Sequence, residues 1–137
     1  MKKSVTTTEA PAGPGFFSQA VQIGSLVQIS GQGPQDPASG DYVFAGDIAR
    51  QTTRTLENLR SIVEASGGSF DDVMSMRVYL THQASFGEMN EAYEAFVRSN
   101  CPSGVFPART TIFVGLPNPA MLVEIDAMAV VGPVGAQ

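Results

Sequence analysis

Apolar and polar residues alternate along two short segments near the start of the chain, 20–23 and 26–29. Successive side chains of a β-strand point to opposite faces of a sheet, so each segment predicts a strand with one apolar face. Gly24 and Ser25 lie between the segments, and a glycine in the first central position suits a two-residue type II′ turn. The two segments therefore predict a β-hairpin.

The hydrophobic period then changes and indicates two helices. The first lies between Asp47, a suitable N-cap, and the stop signal Gly67-Gly68. Its side chains recur every three or four residues, at Ile48, Thr52, Thr55, Leu56, Leu59, Ile62 and Val63. The second follows Ser85, which forms a capping-box pattern with Glu88. Its stripe comprises Phe86, Met89, Tyr93, Phe96 and Val97. Each stripe predicts a helix with one face toward the core.

Three further segments predict strands. Residues 73–81 alternate, and residues 109–114 and 121–131 are rich in β-forming residues. The last two are joined across 115–119 and are interpreted as a second hairpin. The predicted order is β-β-α-β-α-β-β, an α+β fold with a single mixed sheet and two helices packed on one face. We interpret 1–14 as an N-terminal tail, 15–131 as one domain and 132–137 as a C-terminal tail.

Two layers leave the second face of the sheet uncovered. In the strand over 73–81, one face is apolar (Met74, Met76, Val78 and Leu80) and the other is mixed (Ser75, Arg77, Tyr79 and Thr81). The last strand adds Leu122, Glu124, Asp126 and Met128 to that mixed face. Such a face is typical of an oligomer interface that carries a site, and equally of an ordinary solvated sheet.

Composition and charge exclude several classes of function. The length of 137 residues suits one domain, and 15% charged residues is well below the average of about 25%. The net charge is −5 and the eight Lys and Arg residues are scattered, so nucleic acid is a poor candidate partner. One Cys and one His exclude a Cys/His metal cluster. No secretory leader or membrane span is recognisable, so we expect a cytoplasmic protein that binds no membrane.

Two charged residues are candidates for chemistry. Arg109 opens a predicted strand, where its guanidinium could bind a carboxylate through two parallel N–H bonds; the alternative is an ordinary surface ion pair. Glu124 lies between Val123 and Ile125 in the most apolar strand. Its carboxylate is either solvated on the open face or partly buried with a raised pKa suited to proton transfer.

Six segments, taken in order, resemble one family. They are Gly15-Phe16-Phe17-Ser18-Gln19-Ala20-Val21, Ile29-Ser30-Gly31-Gln32, Gln51 with Leu56-Glu57-Asn58-Leu59, Asn90-Glu91-Ala92-Tyr93, Pro107-Ala108-Arg109-Thr110 and Val123-Glu124-Ile125. The chain is similar over about 9–131 to the RidA/YjgF/UK114 family of reactive-imine deaminases. The resemblance implies a chorismate-mutase-like fold that assembles as a homotrimer, with three sites in the clefts between subunits.

The resemblance also implies roles for individual residues. Arg109 would bind the substrate carboxylate, and Glu124 would handle water and proton. Ser30, Gly31 and Asn90 would line the pocket. The chain departs from the family at two further lining positions: Phe17 stands where a Tyr is frequent, and Thr111 where a Cys is frequent. Both changes bear on substrate preference.

The function that follows is hydrolysis of short 2-imino or 2-enamino acids, such as 2-aminoacrylate or 2-iminobutanoate, to 2-keto acids and ammonia, without cofactor or metal. One alternative within the family is a deaminase for a larger catabolic substrate, such as 2-aminomuconate or a pyrimidine-derived aminoacrylate. Another is a non-enzymatic module that binds small carboxylates, because the same Arg109 would serve binding and turnover alike.

Overall fold

The computed structural model describes residues 1–132 and contains six strands and two helices. The strands are β1 (Lys3–Val5), β2 (Ala20–Ile23), β3 (Leu26–Gln32), β4 (Val73–Leu80), β5 (Ala108–Phe113) and β6 (Val123–Val130). The helices are α1 (Ile48–Ala65) and α2 (Phe86–Asn100). The strands form one sheet in the order β1-β2-β3-β6-β4-β5. The pair β4–β5 is parallel and the other pairs are antiparallel, so the predicted α+β class with a single mixed sheet is confirmed.

The N-terminal segment is part of the fold, and the interpretation of residues 1–14 as a tail is wrong. Strand β1 pairs with β2, and Val5 and Ala10 are buried. The buried Gln19 side chain ties the segment down, because its Nε2 donates to the carbonyl of Pro11 at 2.8 Å and its Oε1 accepts from the amide of Thr7 at 2.8 Å. A strand of three residues carries too little alternation to be detected. Of the predicted C-terminal tail, all but Gly132 lies outside the described residues.

The first hairpin is confirmed and the second is wrong. Strands β2 and β3 pair around Gly24, which has the positive φ of 57° that the turn requires. Strand β6, in contrast, lies between β3 and β4, while β5 pairs with the far side of β4. Val123 and Ile125 of β6 are fully buried, whereas Phe113 of β5 is 41% exposed. The more apolar strand therefore occupies the centre of the sheet, where both of its neighbours protect it.

The two helix starts differ from each other. Asp47 caps α1 as predicted, because its Oδ1 accepts from the amide of Arg50 at 3.1 Å. The helix ends before Gly67, which has a φ of 97°. Ser85 precedes α2 but makes no capping hydrogen bond, because a 3₁₀ turn over 83–85 leads directly into the helix. The predicted capping box at Ser85 is therefore wrong.

The open face of the sheet carries polar side chains in the predicted register. Tyr79 of β4 lies opposite Glu124 of β6, and Arg77 lies opposite Asp126. A β-bulge near the start of β4 changes the phase of alternation, so Met74 is 53% exposed rather than buried as predicted. Within residues 1–132, neither helix has the length and apolar character needed to cross a bilayer.

Candidate functional site

A cavity of about 720 Å³ lies beside the end of β3 and is bordered by the loop that precedes β2. Four of the predicted site residues line it: Phe17, Ser30, Gly31 and Glu124. The loop after β3 and the segment before β6 complete its wall. The structure therefore brings together four residues from three distant parts of the sequence.

Gly31 is beside the carboxylate of Glu124, and the approach requires a glycine. A Cβ atom built on Gly31 would overlap Oε2 of Glu124 and would lie 3.0 Å from its Cδ. No side chain larger than hydrogen fits while Glu124 keeps its position. Gly31 thus acts here through close packing, not through a positive φ.

The electrostatic surroundings of Glu124 favour its protonated form. Partial burial raises the pKa of its carboxyl group above the usual value of 4.5, and the negative charge of Asp126 raises that pKa further. Asp126 is itself fixed, because its Oδ1 accepts from Nε of Arg77 at 2.8 Å and its Oδ2 accepts from the hydroxyl of Tyr79 at 2.9 Å. A half-buried carboxyl group with a raised pKa, facing a cavity, is suited to proton transfer.

Ser30 and Phe17 form one wall of the cavity. The hydroxyl of Ser30 donates to the carbonyl of Ser18 at 2.6 Å, so it anchors the loop that carries Phe17. Phe17 is 55% exposed and packs edge-on against Phe16, whose ring is more exposed still. The loop thus presents two aromatic rings to its surroundings.

Two buried amides of α1 hold the loops around the cavity. The Oε1 of Gln51 accepts from the amide of Leu122 at 2.8 Å and its Nε2 donates to the carbonyl of Ala120 at 2.9 Å, which fixes the approach to β6. The Nδ2 of Asn58 donates to the carbonyl of Gly33 at 3.1 Å, just after β3. No role was predicted for either residue; the available signal was two amides on the face of α1 that is buried.

Arg109 belongs to a second group of residues. Its Nη2 donates to Oδ1 of Asn90 at 2.8 Å. Its guanidinium carbon lies 4.7 Å from the ring centroid of Tyr93 and 6.0 Å from that of Phe86. Thr111, two residues farther along β5, has a buried Oγ1 without a partner among the described residues. The prediction that Tyr93 lies in the core is confirmed, whereas Phe86 is 39% exposed. The spacing of both residues from Asn90 places all three on one helical face.

Within one protomer the two groups lie on opposite faces of the sheet. Arg109 of β5 is paired with Met76 of β4, so the two side chains point to the same face of the sheet. Met76 is buried on the face that the helices cover. Glu124 of β6 is paired with Tyr79 of β4, and both side chains point to the open face. Arg109, Asn90 and Thr111 are therefore separated from the cavity that contains Glu124. Among residues 1–132, no three His, Cys, Asp or Glu side chains are grouped to hold a metal ion.

The chain is similar to known proteins over nearly its whole length. The family model described as Endoribonuclease L-PSP matches residues 7–131. A 2-iminobutanoate/2-iminopropanoate deaminase of Mus musculus is 38% identical, over 97% of this chain and 94% of its own length. A RutC family protein of Pyrococcus horikoshii is 41% identical, over 94% of this chain and 98% of its own. The crystal structure of Escherichia coli TdcF with bound serine superposes with a TM-score of 0.86 at 34% identity, covering 93% of this chain and 98% of that one.

These matches cover nearly the whole chain, including every residue of the two groups described above. The relatives include proteins named as imine deaminases and others named as endoribonucleases. On the extent and identity of these matches, the chain belongs to the YjgF/RidA family, which includes imine deaminases.

Proposed function

We propose that this protein hydrolyses short 2-imino acids, and the 2-enamino acids that tautomerise to them, to 2-keto acids and ammonia. The observation that carries the proposal is the guanidinium of Arg109, which makes no ion pair with a carboxylate among residues 1–132. Its neutral partner Asn90 leaves most of its N–H donors available for a substrate carboxylate. Relatives named as 2-iminobutanoate/2-iminopropanoate deaminases support the same substrate class.

The separation of Arg109 from Glu124 requires a second subunit to complete the site. We propose a homotrimer in which the Arg109 edge of one protomer faces the Glu124 cavity of its neighbour. The open sheet face supports this assembly, because it carries half-buried Met128 beside polar groups, whereas Leu122 packs against the core instead of lying on this face as the alternation predicts. The exposed rings of Phe16 and Phe17 would then meet the neighbouring chain.

The proposed reaction needs only water and one acid–base group. Arg109 would hold the carboxylate and so place C2 of the imine. Glu124 would take a proton from water as the water oxygen bonds to C2 and the C=N electron pair moves to nitrogen. Glu124 would return that proton to the nitrogen, which gives a carbinolamine. It would then take the proton of the new hydroxyl group and pass it to the nitrogen, the C–N bond would break as the carbonyl forms, and ammonia would leave. A positioned acid–base group contributes about 10²–10⁴-fold in rate.

A larger substrate is the second candidate, because the cavity has room for one. A volume of about 720 Å³ is within the range of about 300–1,000 Å³ found for sites that bind drug-sized ligands. Comparing rates with 2-iminobutanoate and 2-aminomuconate distinguishes the two, because a site built for the larger substrate would prefer the second.

The decisive experiment generates 2-aminoacrylate in situ with a serine dehydratase and follows ammonia release. We expect acceleration by the wild type, loss of activity in Arg109→Ala, and wild-type activity in the control Arg98→Ala, whose guanidinium pairs with Glu94 on the exposed surface of α2. Glu124→Gln should lose turnover but retain binding of 2-oxobutanoate. Full activity in Arg109→Ala would contradict the proposal, unaltered turnover in Glu124→Gln would contradict the role of Glu124, and binding of 2-oxobutanoate without acceleration by the wild type would favour a binding module.

A further inference from the structure

Three side chains of α2 hold the guanidinium of Arg109. Phe86, Asn90 and Tyr93 follow one another at steps of four and three residues, which places them on one face of the helix. Asn90 accepts a hydrogen bond from Nη2, and the two aromatic rings lie 6.0 Å and 4.7 Å from the guanidinium carbon. We call Phe86 and Tyr93 the aromatic seat of Arg109.

The aromatic seat stabilises a cation without neutralising it. The face of an aromatic ring is negative and attracts a guanidinium, most strongly where water is excluded. A carboxylate in the same place would occupy the N–H donors and compete with a bound carboxylate for the positive charge. The seat thus explains how Arg109 is fixed in orientation while it makes no ion pair among the described residues.

Resting on the function proposed above, we propose that Tyr93 is a positioning residue for carboxylate binding and acts by seating Arg109 with its ring. Tyr93 contributes more than Phe86, because it is nearer to the guanidinium and only 8% exposed, against 39% for Phe86. A partly desolvated cation–π contact of this kind changes a binding constant by about 3- to 30-fold.

The ring of Tyr93, and not its hydroxyl group, performs this role. The hydroxyl is buried and has no hydrogen-bond partner among the described residues. Burial raises the pKa of Tyr93 to about 12, and the positive charge of Arg109 opposes this only in part. The phenol therefore stays neutral at ordinary pH and forms no ion pair with Arg109. Phenylalanine at this position should preserve the seat, and leucine should remove it.

The chain offers a matched control on the same helix. Phe96, one turn after Tyr93 on α2, is also 8% exposed, and its ring lies 5.2 Å from the guanidinium carbon of Arg60 on α1. Phe96→Leu removes a buried ring and a cation–π contact of the same kind. It therefore reproduces any general weakening of α2 without disturbing the aromatic seat.

The test measures the dissociation constant of 2-oxobutanoate by calorimetry in the full-length protein. We expect Tyr93→Leu to weaken binding about 3- to 30-fold, with Tyr93→Phe and Phe96→Leu close to the wild type. With the imino acid substrate, Tyr93→Leu should raise KM, whereas partial unfolding would lower the apparent kcat and leave KM unchanged. Wild-type binding by Tyr93→Leu, or equal losses in Phe96→Leu or Tyr93→Phe, would overturn the proposal.

A ligand-independent measurement separates this proposal from the proposed function. The NMR signal of the Nε–H of Arg109, assigned with an Arg109→Lys variant, should show a ring-current shift in the wild type and in Tyr93→Phe but not in Tyr93→Leu. If the wild type binds no 2-oxo acid, the proposed function fails, and this signal alone decides whether Tyr93 seats Arg109. An unchanged signal in Tyr93→Leu would refute the seat.

Discussion

The contact between Gly31 and Glu124 makes Gly31→Ala the sharpest test of the cavity. The added Cβ would overlap Oε2 of Glu124 and lie 3.0 Å and 3.3 Å from its Cδ and Cγ. The backbone at Gly31 has no positive φ, so alanine adds no backbone strain there. The whole effect must then fall on the Glu124 side chain, which has to rotate away from its place between Gly31 and the cavity.

The size of the effect follows from this displacement. Moving a side chain about 30° from its rotamer costs about 0.5–1.5 kcal/mol, so the fold should survive. A misplacement of about 1 Å at a reacting group lowers the rate by about 10²-fold. We therefore expect kcat to fall about 100-fold in Gly31→Ala, with a decrease in melting temperature of only a few degrees.

Gly87→Ala is the matched control for this substitution. Gly87 lies in the first turn of α2, where an added Cβ meets nothing within 4 Å. Replacing a helical glycine by alanine stabilises by about 0.5–1 kcal/mol, so this variant should melt higher and retain wild-type kcat. Wild-type kcat in Gly31→Ala, measured by ammonia release alongside calorimetric melting, would refute the placement of the Glu124 carboxylate.

Three further predictions concern the same face of the sheet. Because the pKa of Glu124 is raised, this residue's contribution to stability is fully present below about pH 4.5 and is lost as the pH rises through the folded-state pKa. Melting temperatures should therefore show the wild type losing stability relative to Glu124→Gln between pH 4 and pH 8. A constant difference between the two melting temperatures would contradict this prediction. Asp126→Asn removes the like charge near Glu124, so the acidic limb of the pH profile of kcat/KM should move to lower pH, and no movement would show that burial alone sets this pKa. Met128→Lys places a charge on the proposed subunit interface, so light scattering should detect monomers and activity should disappear with the trimer; an active monomer would refute the shared site.

Local patterns in the sequence were sufficient for the elements that depend on neighbours along the chain. Helix α1 with its Asp47 cap and the β2–β3 hairpin around Gly24 were predicted, because capping and tight turns involve residues within a few positions of one another. The family resemblance likewise singled out Arg109 and Glu124, since it rests on short segments in order. The structure places Glu124 in a cavity and gives Arg109 a neutral partner, but the roles of both remain proposals.

Tertiary structure alone decided which distant segments meet. Strand β6 lies between β3 and β4 because its apolar face is buried at the centre of the sheet. The sequence of the turn between β5 and β6 gives no indication of this free-energy gain. The contacts of Gly31 with Glu124 and of Tyr93 with Arg109 also depend on tertiary structure, because the members of each pair lie on different elements. The separation of Arg109 from Glu124 also arises here, because the register of β4 with its two neighbours places them on opposite faces. Strand register is set by non-local pairing, and a shift of one residue would move each side chain to the other face.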